Sequence, residues 1–188
     1  MNLMISEIAS RPMLATNQGK ATADSISYAI SVCALGQVLL ARSASGVCAI
    51  LIGADEHELE ADLAARFPKS KLSINEADVH DHLAKVIRFV DRPSEGLGLA
   101  LDLRGTPFQR RVWETLRTIP VGTTVTYTEL AHRIGAPNSA RAVAGACASN
   151  PIALAIPCHR LVRRNGDLAG YRWGVERKRE LIKREAMA

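Results

Sequence analysis

Three short apolar runs follow one another from residue 26. ISYAISVCAL (26–35), QVLLAR (37–42) and VCAILIG (47–53) are split by Gly36 and by Ser45-Gly46, which predicts a small β meander. The period then changes. In DEHELEADLAARF (55–67), Leu59, Leu63 and Phe67 recur every four residues, giving one apolar helix face that ends at Pro68. ADVHDHLAKVIRFV (77–90) repeats the pattern with Val79, Leu83, Val86 and Val90. RPSEGLG (92–98) reads as a connection, and LALDL (99–103) alternates as a strand returning to the sheet would. Residues 1–24 have no such pattern and are expected to form a loose leader.

After Arg104 the pattern is helical. Thr106-Pro107-Phe108-Gln109 is a capping box with Pro at the first helical position, opening a helix through Val112, Trp113 and Leu116 to about Ile119. Pro120 and Gly122 break it. Thr126-Tyr127-Thr128-Glu129 is a second capping box, which puts Tyr127 in the first turn of a short helix. A turn at Gly135-Ala136-Pro137-Asn138 leads to SARAVAGACAS (139–149), a helix of small side chains. Helix, short turn and helix make a helix-turn-helix candidate. Ala142, Gly145, Ala146 and Ser149 leave little bulk, suited to tight core packing or to close approach of a nucleic acid. Arg141 is the one long charged side chain there.

Composition is that of a globular chain, 47% hydrophobic and 23% charged, and 188 residues allow one large domain or two small ones. No run approaches the ~18 unbroken apolar residues of a membrane helix. The first twenty residues lack the charged start and apolar core of a secretory signal. An intracellular, reducing setting is therefore expected, with Cys33, Cys48, Cys147 and Cys158 as thiols. None is in C-x-x-C spacing, so a zinc ribbon is not expected. Charge divides the chain. Residues 104–188 carry 15 Lys/Arg against 6 Asp/Glu, a net of +9, and residues 1–103 carry 9 against 13, a net of −4. A basic half suits a polyanion, and equally a solvated basic surface.

The chemistry concentrates at Ile156-Pro157-Cys158-His159-Arg160-Leu161-Val162. Positive neighbours favour a thiolate, the nucleophilic form, and Pro157 restricts the backbone before the thiol. The alternative is a buried structural cysteine, which leaves the His-Arg pair unexplained. Glu185, in the closing helix, is a candidate carboxylate to orient His159.

LDLRGTPFQRRVWETLRTIP, GTTVTYTELAHRIG, SARAVAGACASNP and IPCHRLVRRNGDLAGYRWG, followed by a basic helix, resemble the 6-O-alkylguanine-DNA alkyltransferases. The likeness is greatest to the C-terminal half of the bacterial adaptive-response members. It spans residues 99–186 almost without gaps and 25–98 more loosely. It implies an α/β fold class: a small RNase H-like α/β domain over 25–98, then a mainly helical, winged-helix-like domain over 99–188 carrying the helix-turn-helix.

The resemblance also implies roles. Cys158 is the alkyl acceptor, in one irreversible turnover. His159 is the base, through a bridging water, oriented by Glu185. Tyr127 donates to the flipped guanine, and Arg141 fills the gap the nucleotide leaves. Asn150 braces the turn after the recognition helix. Pro157, the backbone of Cys158 and Leu161, and the loop around Tyr171 and Arg172 shape the guanine pocket. Ala142, Gly145 and Ala146 let the recognition helix enter the minor groove. Arg160 is expected in a structural ion pair. The partner is double-stranded DNA carrying alkylated guanine, with alkylthymine as a second substrate and no membrane. The protein is expected to be a monomer, cytoplasmic in a bacterium or nuclear in a eukaryote.

No cofactor is implied, and no metal: Cys33, Cys48, His57, His80 and His82 do not match the zinc pattern of some members. The module in which adaptive-response members take methyl from phosphotriesters has no counterpart in these residues, so neither that repair nor methyl-triggered transcription is expected. Two rivals remain. An alkyltransferase-like binder would lack the reactive cysteine, and a regulator using only the helix-turn-helix would not need Pro157-Cys158-His159.

Overall fold

The computed structural model describes residues 24–188; the expected leader lies outside them except for Asp24. The meander forms as the apolar runs predict, with β1 Ser25–Cys33, β2 Gly36–Ser43 and β3 Gly46–Gly53 antiparallel in sequence order. Helix α1 (Glu56–Arg66) is capped by the Asp55 side chain and crosses to a short strand, β4 (Lys71–Ile74), which pairs parallel with β1. The sheet order is therefore β3-β2-β1-β4. Helix α2 (Glu76–Asp91) follows.

The runs in β2 and β3 are continuous because both faces of the sheet are covered. Leu39, Ala41, Ala49 and Leu51 pack with Leu59 and Leu63 of α1 and with Phe67 just after it. The alternating positions Val38, Leu40, Ile50 and Ile52 face α2 and the whole C-terminal half, in one core with Trp113, Leu116, Ile152 and Leu181. Each such side chain, fully buried, contributes roughly 1.5–3 kcal/mol of hydrophobic stabilisation.

Two expectations need correction. LALDL makes only a single bridge to the sheet, Leu101 beside Val47, and no strand. Val47 N–H donates to Ala100 O and Asp102 N–H to Val47 O, and these bonds tie the segment to the end of β3. Conversely β4 was not expected. Its sequence, KLSI, is too short and mixed to announce a strand, and it becomes one because the β1 edge offers backbone partners.

The C-terminal half holds α3 (Pro107–Arg117), α4 (Tyr127–Arg133), α5 (Ala140–Ala148) and α6 (Val175–Ala186). Both capping boxes form: Thr106 with Gln109, and Thr126 with Glu129. A two-stranded parallel ladder, β5 (Val125–Thr126) with β6 (Leu161–Val162), joins the start of α4 to the segment after Cys158. The two halves meet along the β3 edge. Ile50 N–H donates to Pro151 O (3.0 Å) and Ala153 N–H to Ile50 O (2.9 Å), so the segment leading to Cys158 lies against β3 in parallel. Leu154 in that segment is buried at φ 67°, a left-handed conformation that costs a non-glycine residue of order 1–3 kcal/mol unless the surroundings impose it. Among the described residues no helix is long and apolar enough to cross a membrane.

Candidate active site

Cys158 opens a single helical turn, Cys158–Arg160, at the floor of a cavity of about 630 Å³. The walls come from three places. Tyr127 stands at the first turn of α4, fixed by the Thr126–Glu129 box. Helix α5 contributes Ala140, Arg141, Ala144, Cys147 and Ala148. The loop before α6 contributes Arg163, Ala169, Gly170, Tyr171 and Arg172. Five of the expected residues thus meet at one cavity: Cys158, Tyr127, Arg141, Tyr171 and Arg172.

Behind the thiol lies a buried polar cluster. The Asn150 amide donates to Ile156 O (3.0 Å) and to Cys158 Sγ (3.4 Å), while its oxygen accepts from Ile152 N–H (2.8 Å). It therefore braces the turn and points the sulfur. His159 Nε2 lies 2.8 Å from Glu185 Oε1. Arg160 grips the same carboxylate through Nε and Nη2, each at 2.8 Å, and donates to Ile119 O. Gly122 N–H adds a fourth group on Glu185 Oε2 (3.3 Å). Gly122 has φ +75°, and a Cβ there would sit 3.0 Å from Glu185 O, so the turn can approach only as glycine.

These contacts set the charges. Arg160 matches the Glu185 carboxylate, and burial pushes His159 below its ordinary 6.5 despite the carboxylate, leaving a neutral imidazole. With Nε2–H toward Glu185, Nδ1 is the basic nitrogen, and it has no protein partner among the described residues. Burial also dominates at Cys158, pushing the thiol up to about 11 against the Asn150 hydrogen bond and the positive charge of Lys178. This corrects the expectation of a thiolate favoured by its neighbours. The Arg160 guanidinium is turned away to Glu185, so the resting sulfur keeps its proton and needs a base.

Six expected binding positions lie off the cavity wall. Ala146 is buried in the core, where its carbonyl accepts from Trp113 Nε1 (2.9 Å). It cannot touch a groove, because Trp113 covers that side of α5. Leu161 is fully buried, outside the cavity wall, and its carbonyl accepts from Lys178 Nζ. Pro157 lines a different cleft, with Phe89 and Arg117. Asn150 acts from behind the thiol. Ala142 and Gly145 are exposed on the outer side of α5. The cavity side of that helix is Ala140, Ala144 and Ala148, spaced by four, a periodicity that could have picked them out.

Sequence reasoning also missed Lys178. It is fully buried, with its ammonium on Leu161 O and Ala169 O, where it ties the loop to β6. In the sequence it looks like one more cation of a basic helix. Asp62 of α1 was equally invisible: it holds Arg172 at the cavity rim (2.7 Å) from 110 residues away.

The family described as 6-O-methylguanine DNA methyltransferase, DNA binding domain, matches residues 107–187. The bifunctional transcriptional activator/DNA repair enzyme Ada of Escherichia coli is 48% identical over 161 residues, 86% of this chain and 46% of that protein. The chain spans about half the length of such sequence relatives. Among solved structures, the Mycobacterium tuberculosis O6-methylguanine methyltransferase superposes with TM-score 0.67 at 34% identity, covering 86% of this chain and 93% of that one. The same organism's OGT in complex with DNA gives TM-score 0.64 at 32% identity, covering 87% and 93%.

Proposed function

The chain belongs to the 6-O-alkylguanine-DNA alkyltransferase family, and on that footing we propose that it repairs DNA by taking the alkyl group from the 6-oxygen of guanine onto Cys158. The observation that carries this reading is the conjunction at one cavity of the Cys158 thiol, the buried His159–Glu185 pair behind it, and Tyr127 and Arg141 at its walls. The 4-oxygen of thymine offers the same chemistry as a second substrate. Residues 25–98 and 99–188 are the working division into two domains, and the protein acts as a monomer in the cytoplasm of a bacterium.

The alkyl carbon sits within a base pair, so the nucleotide must leave the stack, at roughly a few kcal/mol. Exposed cations of the basic half, among them Arg110, Arg117, Arg133 and Arg164, hold the phosphates. Arg141 occupies the gap in the stack, while the exposed Ala142 and Gly145 let α5 approach the minor groove. In the cavity, His159 Nδ1 removes the thiol proton, through a water. The S–C bond forms as the C–O bond breaks, and the electron pair moves onto guanine, where the Tyr127 hydroxyl donates to the developing charge. A thioether is not a group the site can expel, so each molecule acts once. The direct test is duplex DNA carrying one labelled methyl group. Label should move to protein and stop at about one per molecule; label that stays on DNA, or sustained turnover, refutes the reading.

Two further expectations follow from the geometry. Because His159 is neutral and the thiol protonated, the transfer rate should be flat with pH from about 7 to 9. It should fall only in acid, below the ordinary histidine range. A tenfold rise per pH unit across that window would mean that hydroxide, and not His159, makes the thiolate. For Arg141→Ala, repair of duplex should slow about tenfold if ~1.4 kcal/mol of support for the flipped state is lost. Attack on free methylguanine should hardly change. Equal slowing on both would place Arg141 in the pocket and not in the stack.

A further inference from the structure

The register of the β5–β6 ladder pairs Val125 with Leu161 and Thr126 with Val162. The next residues on the two parallel strands are Tyr127 and Arg163. They leave the ladder side by side, and both line the cavity above Cys158. Both backbones are fixed. Tyr127 sits in the capping box, and Arg163 is held in a tight turn by its N–H to Asp167 O and by Gly166 N–H to its carbonyl, each at 2.9 Å. The turn is locked further by Asn165 and Asp167, which hydrogen-bond each other. The Arg163 guanidinium makes no side-chain hydrogen bond or ion pair among the described residues, whereas Arg172 on the same rim is committed to Asp62. Burial holds the Tyr127 phenol up to about 12, and the positive charge of Arg163 works against it.

We propose that Arg163 is a positioning residue for the leaving group: its guanidinium polarises the Tyr127 phenol, so that the hydroxyl donates more strongly as negative charge builds on the departing guanine. This rests on the functional reading above and adds no new reactant. The sulfur still gains the carbon, guanine still takes the electron pair of the broken C–O bond, and the thiol proton still passes toward His159. Tyr127 is partly buried while Arg163 is exposed at the cavity rim, and a cation beside a hydrogen-bond donor strengthens that donor. A neutral side chain at residue 163 would remove the positive charge that opposes burial at the phenol.

The test is a double-mutant cycle on the transfer rate constant at saturating DNA. Arg163→Gln should slow transfer roughly tenfold on duplex and by a similar factor on free methylguanine base, which has no phosphate. Arg163→Lys should recover most of the rate, since it keeps the charge. In a Tyr127→Phe background, Arg163→Gln should cost no more than about twofold, because the group it acts through is gone. Slowing confined to duplex, with a shallower salt dependence, would make Arg163 a phosphate contact and overturn the proposal. So would full additivity in the cycle, or failure of lysine to rescue. Active wild type with Arg163→Gln at full rate defeats this inference alone; inert wild type defeats the functional reading and this inference with it.

Discussion

Cys158→Ala should abolish methyl transfer, and peptide mapping of the wild-type protein after reaction should find the methyl on Cys158 alone. Cys147 is the competitor, since it lines the same cavity. Three differences decide between the two thiols. Cys158 has a polar partner in the Asn150 amide, which orients the sulfur, and Cys147 has none among the described residues. His159 stands next to Cys158 in the chain, in the buried cluster beneath it, with its basic nitrogen uncommitted. Burial raises both thiols, but the neighbouring Cys158 adds to the rise at Cys147, whereas the Asn150 hydrogen bond works against it at Cys158. Cys33→Ser, remote from the cavity, should transfer at the wild-type rate. Methyl recovered on Cys147, or activity surviving in Cys158→Ala, would mean that the relay serves a different sulfur.

Glu185→Gln should be the most damaging substitution for the fold. One buried carboxylate takes His159, both near nitrogens of Arg160 and the Gly122 amide. A neutral amide removes the charge that Arg160 was buried to meet and turns an NH₂ toward groups that are themselves donors. Breaking one side of a buried pair costs about 3–5 kcal/mol. At roughly 2–4 °C per kcal/mol for a chain of this size, melting should fall by about 6–20 °C. Transfer measured well below the new midpoint should also drop, because His159 loses the partner that holds its tautomer. A melting point within about a degree of wild type would show that the Arg160 charge is satisfied by something other than Glu185.

What the sequence revealed depended on how local the cause was. Both helix caps and the three meander strands were legible, because a capping box spans four residues and a strand declares itself by adjacent apolar positions. The strand KLSI was not, since a partner some forty residues earlier creates it. On α5 the small residues stood out, yet periodicity alone did not say which face met the cavity. Ala146 turned inward under Trp113 and Ala144 outward. The Pro-Cys-His-Arg motif marked a cysteine that the fold does place at the cavity, but it suggested a thiolate where burial favours the thiol. Neighbours in sequence show which charges are near in the chain; whether a guanidinium faces the sulfur or a carboxylate 25 residues on depends on packing. Lys178 and Asp62 stayed hidden for the same reason.

The short parallel contact between Ile50 and Ile152 has a consequence for how the protein is made. The meander leaves the ribosome before the segments that cover its β3 edge: residues 100–102 reach Val47 about fifty residues later, and the segment that covers Ile50 comes only about a hundred residues later. At 5–20 residues per second this last part of the edge waits roughly 5–20 s. During that time it is a row of unpaired amides and carbonyls beside some of the most apolar sequence in the chain, open to pairing with another nascent copy. The same residues that later carry the nucleophile close this exposed edge, so a chain that stalls before residue 152 has no reactive centre and an adhesive sheet. Substitutions at Ile152 or Ala153 should therefore reduce soluble yield out of proportion to their effect on the melting point of molecules that do fold.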